Sequence, residues 1–284
     1  MESPFPPFDP DGARLGRGER LRGLPLRAIL PSLLTLLAIA AGLTSIRFAV
    51  EGRIAAAVAA IVFAAFLDGI DGRVARLLKS SSRFGAELDS LADFVNFGVA
   101  PAMLVYFTLM HGVAAGGWVA ALVFAISACL RLARFNTQLD QPNRPLWQAS
   151  FFTGVPAPAG AMLALAPVYV HLLGLDPSPT FGTLSGAYLV AVGLLMVSRL
   201  PTWSGKEATR QVPRDLVLPL LIALVAFVAL LASYPAQTLL ACVGAYFACL
   251  PLGYRDWKRR EAAALAAAAA PQSAEPPGVA PLGN

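Results

Sequence analysis

The sequence predicts an all-α, polytopic membrane protein, a helical bundle of about eight transmembrane helices. Of the 284 residues, 57% are hydrophobic and 14% are charged, and the mean hydropathy is +0.63, a balance that is unusual for a soluble globular chain. Apolar runs of roughly 17 to 24 residues recur, long enough for a helix to cross about 30 Å of hydrocarbon. The predicted spans are 28–50, 54–72, 90–110, 113–130, 152–173, 181–198, 216–232 and 236–252.

The basic residues predict how these spans are oriented. All but two of the 22 Lys and Arg residues lie in the N-terminal leader, in the second, fourth and sixth connections, or after the last span. The two exceptions, Arg47 and Arg53, flank the first connection. Because short cytoplasmic loops carry the Lys and Arg excess, we expect both termini and these three connections to be cytoplasmic.

One membrane-embedded domain accounts for most of the chain. We assign it to residues 24–258. A basic, Pro- and Gly-rich leader over 1–23 and an Ala- and Pro-rich tail over 259–284 show little apolar periodicity and are predicted to be flexible. The connections predicted on the outer side are too short for a further domain.

Five acidic residues lie within or beside the second and third predicted spans and interrupt their apolar pattern: Asp68, Asp71, Glu87, Asp89 and Asp93. The two pairs spaced i, i+3 and i, i+4 each project from one face of a helix. Between them, KSSSRFG at 79–85 supplies a basic helix end, three serines suited to helix capping and a glycine. The sequence therefore predicts a helical hairpin that bends near 79–83. Such a hairpin would bring the four aspartates together at the cytoplasmic face.

Four converging carboxylates repel one another and need compensating cations. Carboxylate oxygens suit Mg²⁺ or Mn²⁺, and two such ions about 3.5 to 4 Å apart would clamp a phosphoryl group. Gly72 and Gly85 leave room for a ligand, and Arg76 with Lys79 or Arg83 offers phosphate-binding donors. Taken alone, the same carboxylates also suit a solvated helix end or the ion relay of a cation transporter.

The full spacing resembles the signature of the CDP-alcohol phosphatidyltransferase family, D-x-x-D-G-x-x-A-R-x8-G-x-x-x-D-x-x-x-D. A looser similarity runs from about residue 30 to about residue 206. The resemblance implies the helical membrane core of that family and transfer of a phosphatidyl group from a CDP-linked lipid to an alcohol. A cation transporter gives no reason for the glycine and arginine positions. The fixed positions are matched by Asp68, Asp71, Gly72, Ala75, Arg76, Gly85, Asp89 and Asp93.

The resemblance also implies roles for the acidic residues. Asp68, Asp71 and Asp89 would bind metal, with Asp68 and Asp89 bridging two ions of Mg²⁺ or Mn²⁺. Asp93 would complete the second metal site and act as general base toward the alcohol. Glu87 falls outside the signature, and a solvated or supporting position is expected for it.

Contacts to the CDP-linked lipid follow from the same resemblance. The residues concerned are Gly72, Arg76, Ser82, Gly85 and Thr35. Ser80 or Ser81 could take the place of Ser82. The segment PSLLT at 31–35 matches a Pro-Asn-x-x-Thr element of the family at its first and last positions, and it has Ser32 in place of the asparagine.

Three further segments concern the acceptor: RLARFN at 131–136, FFTGVPAPAGA at 151–161 and MVSRLPTWSGK at 196–206. They are similar to elements of bacterial integral-membrane members of the family that use serine. The predicted partners are therefore CDP-diacylglycerol, L-serine and membrane lipids, without nucleic acid, in a homodimer of the bacterial inner membrane. Glycerol 3-phosphate, inositol phosphate and choline remain alternative acceptors.

Four residues are predicted to bind the acceptor. Arg131, Arg134 and Arg199 could pair with the carboxylate of serine, and Asn136 could hydrogen-bond to it. Arginines at cytoplasmic helix ends also fit ordinary anchoring at the membrane surface, so both interpretations stay open at this point.

Overall fold

The computed structural model describes residues 26–78, 82–139, 151–203 and 213–269. Within them the chain is almost entirely helical, which confirms the predicted fold class. The helices are α1 (Leu26–Val50), α2 (Ile54–Leu77), α3 (Arg83–Asp93), α4 (Ala100–Val105), α5 (Ala114–Leu139), α6 (Ala157–Ala164), α7 (Ala166–Leu172), α8 (Pro179–Val197), α9 (Arg214–Ser233) and α10 (Pro235–Ala269).

Seven helices in the described residues are long and apolar enough to cross a membrane. Seven of the predicted spans coincide with them. The third of these helices runs over Arg83–Met110, longer than the predicted 90–110, because α3 begins directly after Ser82. It is continuous but not uniform, since π-helical segments at Phe94–Val99 and Tyr106–Met110 flank α4. Single π-helical turns of this kind are frequent at functional sites.

The segment predicted as the fifth span, 152–173, is not one long helix. It begins in a strand and continues as α6 and α7, which are separated at Leu165. Pro167 has no amide N–H to continue the hydrogen bonding of α6. The two short helices are largely enclosed by protein, with Tyr169 buried, and irregular backbone at membrane depth is tolerated where protein encloses it.

Two three-residue strands, far apart in the sequence, form an antiparallel pair that the all-helical prediction missed. β1 (Phe151–Thr153) pairs antiparallel with β2 (Pro201–Trp203), and segments this short leave no readable alternation in the sequence. Gly154 follows β1 with a φ of 79°, a conformation that glycine adopts at little cost. The Thr202 hydroxyl donates to the carbonyl oxygen of Gly154 at 2.9 Å, which ties β2 to this turn.

The last two helices differ in how they pack. The apolar stretch of α9 has no residue buried against the rest of the described chain, as expected of a helix that faces lipid. α10 packs against α7 and β2. It continues past the predicted domain boundary at 258 as far as Ala269, and residues 1–25 and 270–284 lie outside the described residues.

A close approach between α1 and the first π-helical segment holds the site helices together. Asn96 is fully buried in that segment, and neither its amide nitrogen nor its amide oxygen has a hydrogen-bond partner among the described residues. Gly42 of α1 lies against it, and a methyl group at Gly42 would overlap Asn96 Oδ1. Gly42 therefore lets α1 sit directly on the helix that carries the aspartates.

We expect Gly42→Ala to destabilise the protein and Asn96→Ala to relieve that effect. Overpacking of a core costs about 1–3 kcal/mol, so Gly42→Ala should lower the midpoint of thermal unfolding in detergent by several degrees. Combining it with Asn96→Ala removes the overlapping group, and the double variant should regain most of the loss. Gly244→Ala is the matched control, because a methyl group there meets open space. Equal losses in the single and double variants would contradict this packing.

Candidate active site

Three carboxylates meet where α2 and α3 form a hairpin. Asp68 and Asp71 come from the last turns of α2 and Asp89 from α3, and each offers an oxygen atom within 4.8 Å of those of the other two. The i, i+3 spacing sets the α2 pair on one face. The start of α3 at Arg83 then sets Asp89 at their level.

The start of α3 is fixed by a helix cap. The Ser82 side chain accepts a hydrogen bond from the Gly85 N–H at 3.0 Å, the usual contact of an N-cap serine with the first turn. Of the three serines in the connection, Ser80 and Ser81 lie with Lys79 outside the described residues. The cap fixes where α3 starts and hence which residues of α3 face α2.

Asp71 is the most enclosed of the three clustered carboxylates and is held by α1. It is 4% exposed, and the Thr35 hydroxyl donates to its Oδ2 at 2.7 Å. The same hydroxyl lies 3.1 Å from the carbonyl oxygen of Pro31. A hydroxyl carries one proton, and the shorter distance indicates that Thr35 donates it to Asp71 rather than to Pro31. Thr35 therefore orients one oxygen of the Asp71 carboxylate.

Asp93 lies beside the three-carboxylate group rather than within it. It ends α3 one turn beyond Asp89, and its carboxyl group lies near enough to that of Asp68 for the two to interact. On its other side it interacts electrostatically with Arg131 of α5. Asp93 thus lies between the acidic cluster and a buried cation.

A cavity of about 210 Å³ opens beside the cluster between α1, α2 and α3. It is lined by all five residues predicted to contact the CDP-linked lipid, by two of the predicted metal ligands, and by four residues for which no such role was predicted. Ser32, at the position where the family element has asparagine, is one of those four. The lining consists of Pro31, Ser32, Thr35, Asp71, Gly72, Ala75, Arg76, Ser82, Gly85, Ala86 and Asp89.

The four predicted acceptor residues divide into two groups. Arg131, Arg134 and Arg199 line two adjoining cavities beyond Asp93. Arg131 is 7% exposed, and Arg134 donates to the carbonyl oxygen of Val197 at 2.7 Å. Asn136 lines neither cavity and instead donates to Ser90 Oγ at 3.0 Å. The arginines therefore share one side of the site, and Asn136 ties α5 to α3.

Other residues of these cavities were missed at the level of sequence. The larger one, of about 460 Å³, is also lined by Phe152, Thr153 and Trp257. The strand that carries the first two, β1, is too short to predict, and Trp257 lies near the end of a predicted domain with no motif around it. Only the similarity of 151–161 and 196–206 to serine-using members hinted at this region.

The donor set of the acidic cluster is suited to a hard divalent cation. Its three members offer only carboxylate oxygens, which Mg²⁺ and Mn²⁺ prefer and softer metals do not. An ion bound there would lie next to a cavity that is lined by Arg76 and by the helix-capping Ser82. A cation, an arginine and a helix N-terminus together favour an anionic ligand. Fold and site together define a membrane protein built to handle a phosphate-containing molecule at the end of a helical hairpin.

Comparison with known families agrees with this class. A family model described as CDP-alcohol phosphatidyltransferase matches residues 28–198, and one described as CDP-alcohol phosphatidyltransferase 2 matches residues 215–251. The chain belongs to the CDP-alcohol phosphatidyltransferase family.

Curated relatives share one printed name, CDP-diacylglycerol–serine O-phosphatidyltransferase. The relative from Mycobacterium leprae is 45% identical over 218 residues, which cover 75% of this chain and 68% of the relative. The one from Mycobacterium tuberculosis H37Rv is 41% identical over 78% of this chain and 76% of its own length. The one from Helicobacter pylori 26695 is 34% identical over 77% of this chain and 87% of its own length.

We expect Asp89→Asn to weaken Mn²⁺ binding and Glu87→Gln to leave it unchanged. Even groups that merely support metal ligands contribute about 10- to 100-fold to metal affinity, so loss of a ligand carboxylate should cost at least about tenfold. Glu87 is the matched control, because it is exposed on the same helix and lies outside the cluster. Electron paramagnetic resonance of free Mn²⁺ in titrations of purified protein measures the affinity. Equal affinities of the two variants would contradict metal binding by Asp89.

Proposed function

We propose that the protein transfers the phosphatidyl group of CDP-diacylglycerol to L-serine, giving phosphatidylserine and CMP. One observation carries the reaction: the complete family signature lies on a hairpin whose carboxylates cluster beside a cavity. The acceptor is supported by the relatives, which are named for serine and match about three quarters of the chain.

The donor fits the cavity between α1, α2 and α3. Arg76 and the backbone beside Gly72 and Gly85 supply donors and space for the diphosphate. Thr35 and Ser32 approach from α1. The exposed apolar face of α1 lies next to this cavity, so the acyl chains can remain in lipid while the nucleotide enters from water.

Asp68, Asp71 and Asp89 would hold a divalent ion, and Asp93 with them would complete a second site. Mg²⁺ or Mn²⁺ bound there would neutralise the charge that develops on the phosphate oxygens. Thr35 keeps Asp71 in a fixed orientation for this task through the 2.7 Å hydrogen bond. Preorganised ligands of this kind avoid rearrangement during the reaction.

Asp93 is the proposed general base. It takes the proton of the serine hydroxyl as the hydroxyl oxygen attacks the β-phosphorus. A bond forms between that oxygen and phosphorus, the bond from phosphorus to the bridging oxygen breaks, and CMP leaves with that oxygen. Arg131, which interacts with Asp93, keeps the carboxylate turned toward the acceptor side.

The three arginines beyond Asp93 supply the acceptor site. Arg131, Arg134 and Arg199 line adjoining cavities, and a guanidinium group pairs well with a carboxylate. Serine would bind there with its carboxylate toward the arginines and its hydroxyl toward Asp93. The amino acid thus enters from the side opposite to the nucleotide.

The distribution of basic residues supports a cytoplasmic site and cytoplasmic termini, as in a bacterial inner membrane. Both serine and CMP are water-soluble, so this face gives them direct access. We further propose a homodimer as the functional assembly.

The acceptor is tested by release of CMP from labelled CDP-diacylglycerol by the purified protein. Serine, glycerol 3-phosphate, inositol phosphate and choline are supplied one at a time with Mg²⁺ or Mn²⁺. We expect release to depend on serine and the lipid product to be phosphatidylserine. Release that depends on another alcohol would refute the serine assignment, and ion flux in liposomes without any CMP release would refute transferase activity altogether.

We expect Asp93→Asn to lower kcat by about 10²- to 10⁴-fold, the usual contribution of a general base. At saturating Mn²⁺ the KM for CDP-diacylglycerol should change much less than kcat, because Asp68, Asp71 and Asp89 remain to hold an ion at the donor and the proton transfer is made only in the transition state. Steady-state kinetics with serine measures both constants. Near-normal kcat in this variant would remove Asp93 from proton transfer.

A further inference from the structure

The C-terminal part of α10 contributes a wall to the larger arginine cavity. Trp257 lines this cavity together with Arg134, Arg199 and Phe152. The family models match residues 28–198 and 215–251, so Trp257 lies outside both. Its place in the cavity comes from the packing of α10 against the paired strands β1 and β2.

Aromatic packing fixes the ring of Trp257. Its centroid lies 5.2 Å from that of Phe151, with the two ring planes at 86°, the edge-to-face geometry that aromatic pairs favour. Phe151 belongs to β1 and is 4% exposed, so it forms a rigid support. The guanidinium group of Arg260, one turn further along α10, lies 5.4 Å from the centre of the Phe151 ring.

Asp256 attaches the same part of α10 to the other strand, β2. Trp203 Nε1 of β2 donates to Asp256 Oδ2 at 3.1 Å, and Arg260 Nη2 forms an ion pair with the same oxygen at 3.2 Å. One carboxylate thus joins β2 to α10 directly beside Trp257. Gly253, one turn earlier, is buried against the backbone of β2, which allows the close approach.

The cavity formed in this way has a charged side and a flat apolar side. Arg134 and Arg199 offer positive charge to an anionic acceptor, and the arginine next to Asp93 links this space to the acidic cluster. Trp257 carries no charge and offers a rigid surface. Phe151 of β1 supports its ring, and the neighbouring Asp256 is hydrogen-bonded to β2. An apolar wall of this kind discriminates by size, at about 10- to 200-fold for one methylene group.

We infer that Trp257 of α10 limits the size of the acceptor and so favours serine over longer hydroxy amino acids. This inference rests on the proposed function, because it concerns the acceptor site of the same reaction. Asp256 acts as a positioning residue, since it holds α10 against β2 without lining the cavity.

The test compares L-serine with L-homoserine, which is longer by one methylene group, in Trp257→Ala, Trp257→Phe and Asp256→Asn. Each variant is assayed for CMP release, and kcat/KM is determined for both acceptors and KM for CDP-diacylglycerol. We expect Trp257→Ala to lower the selectivity for serine by about tenfold, within the range for one methylene group. Trp257→Phe should keep most of the selectivity, and Asp256→Asn should lower it less than Trp257→Ala. The KM for CDP-diacylglycerol should change by less than about twofold in all three.

Leu252→Ala is the control, because Leu252 is exposed on the same helix and should leave the selectivity unchanged. Serine-dependent release with unchanged selectivity in Trp257→Ala would overturn the inference and leave the proposed function standing. If that variant fails to fold, unchanged selectivity in the milder Asp256→Asn would overturn it equally. Absence of serine-dependent release in the unmodified protein would overturn the proposed function, and the size limit for serine with it.

Discussion

Mutual repulsion among carboxylates inside a membrane protein is the constraint on which this structure depends. Asp68, Asp71 and Asp89 lie with oxygens within 4.8 Å of one another, and Asp71 among them is buried. Such a group persists only if cations and hydrogen bonds compensate it. Neighbouring helices supply part of this compensation. Thr35 of α1 donates a hydrogen bond to Asp71, and Arg131 of α5 places positive charge near Asp93. The remaining negative charge is what a divalent ion would balance while it also binds the diphosphate.

The scaffold fixes this geometry through a few contacts between helices. Gly42 lets α1 rest on the buried Asn96, about two turns from Thr35 along the same helix. Ser82 sets the first residue of α3. Beyond the cluster, Arg131 interacts with Asp93 and lines a small cavity against β1. The larger cavity that β2 and α10 complete adjoins it and shares Arg134 with it. The proposed donor cavity therefore adjoins the aspartate cluster, and the proposed acceptor cavities lie beyond Asp93 on the side of Arg131.

Much of this could be predicted because lipid imposes strong rules on sequence. Long apolar runs predicted seven helices at nearly their observed places, and the spacing of the aspartates predicted their convergence on a hairpin. The length of the apolar run predicted one spanning helix over 152–173, and this was wrong. Prolines divide the segment into short helices, and protein rather than lipid surrounds them. The sequence did not reveal that the amide nitrogen of Asn136 donates to Ser90 of α3, because this contact depends on how α5 packs on α3. Trp257 left no signal, since only tertiary packing brings it to the cavity.

The central claim is that the α2–α3 hairpin holds divalent metal with its aspartates. Crystals grown with Mn²⁺ and CDP-diacylglycerol, measured at the manganese absorption edge, test it directly. We expect anomalous difference peaks between the carboxylates of Asp68, Asp71 and Asp89, about 3.5 to 4 Å apart if two ions bind. Manganese peaks elsewhere in the protein, with none at this cluster, would contradict the claim.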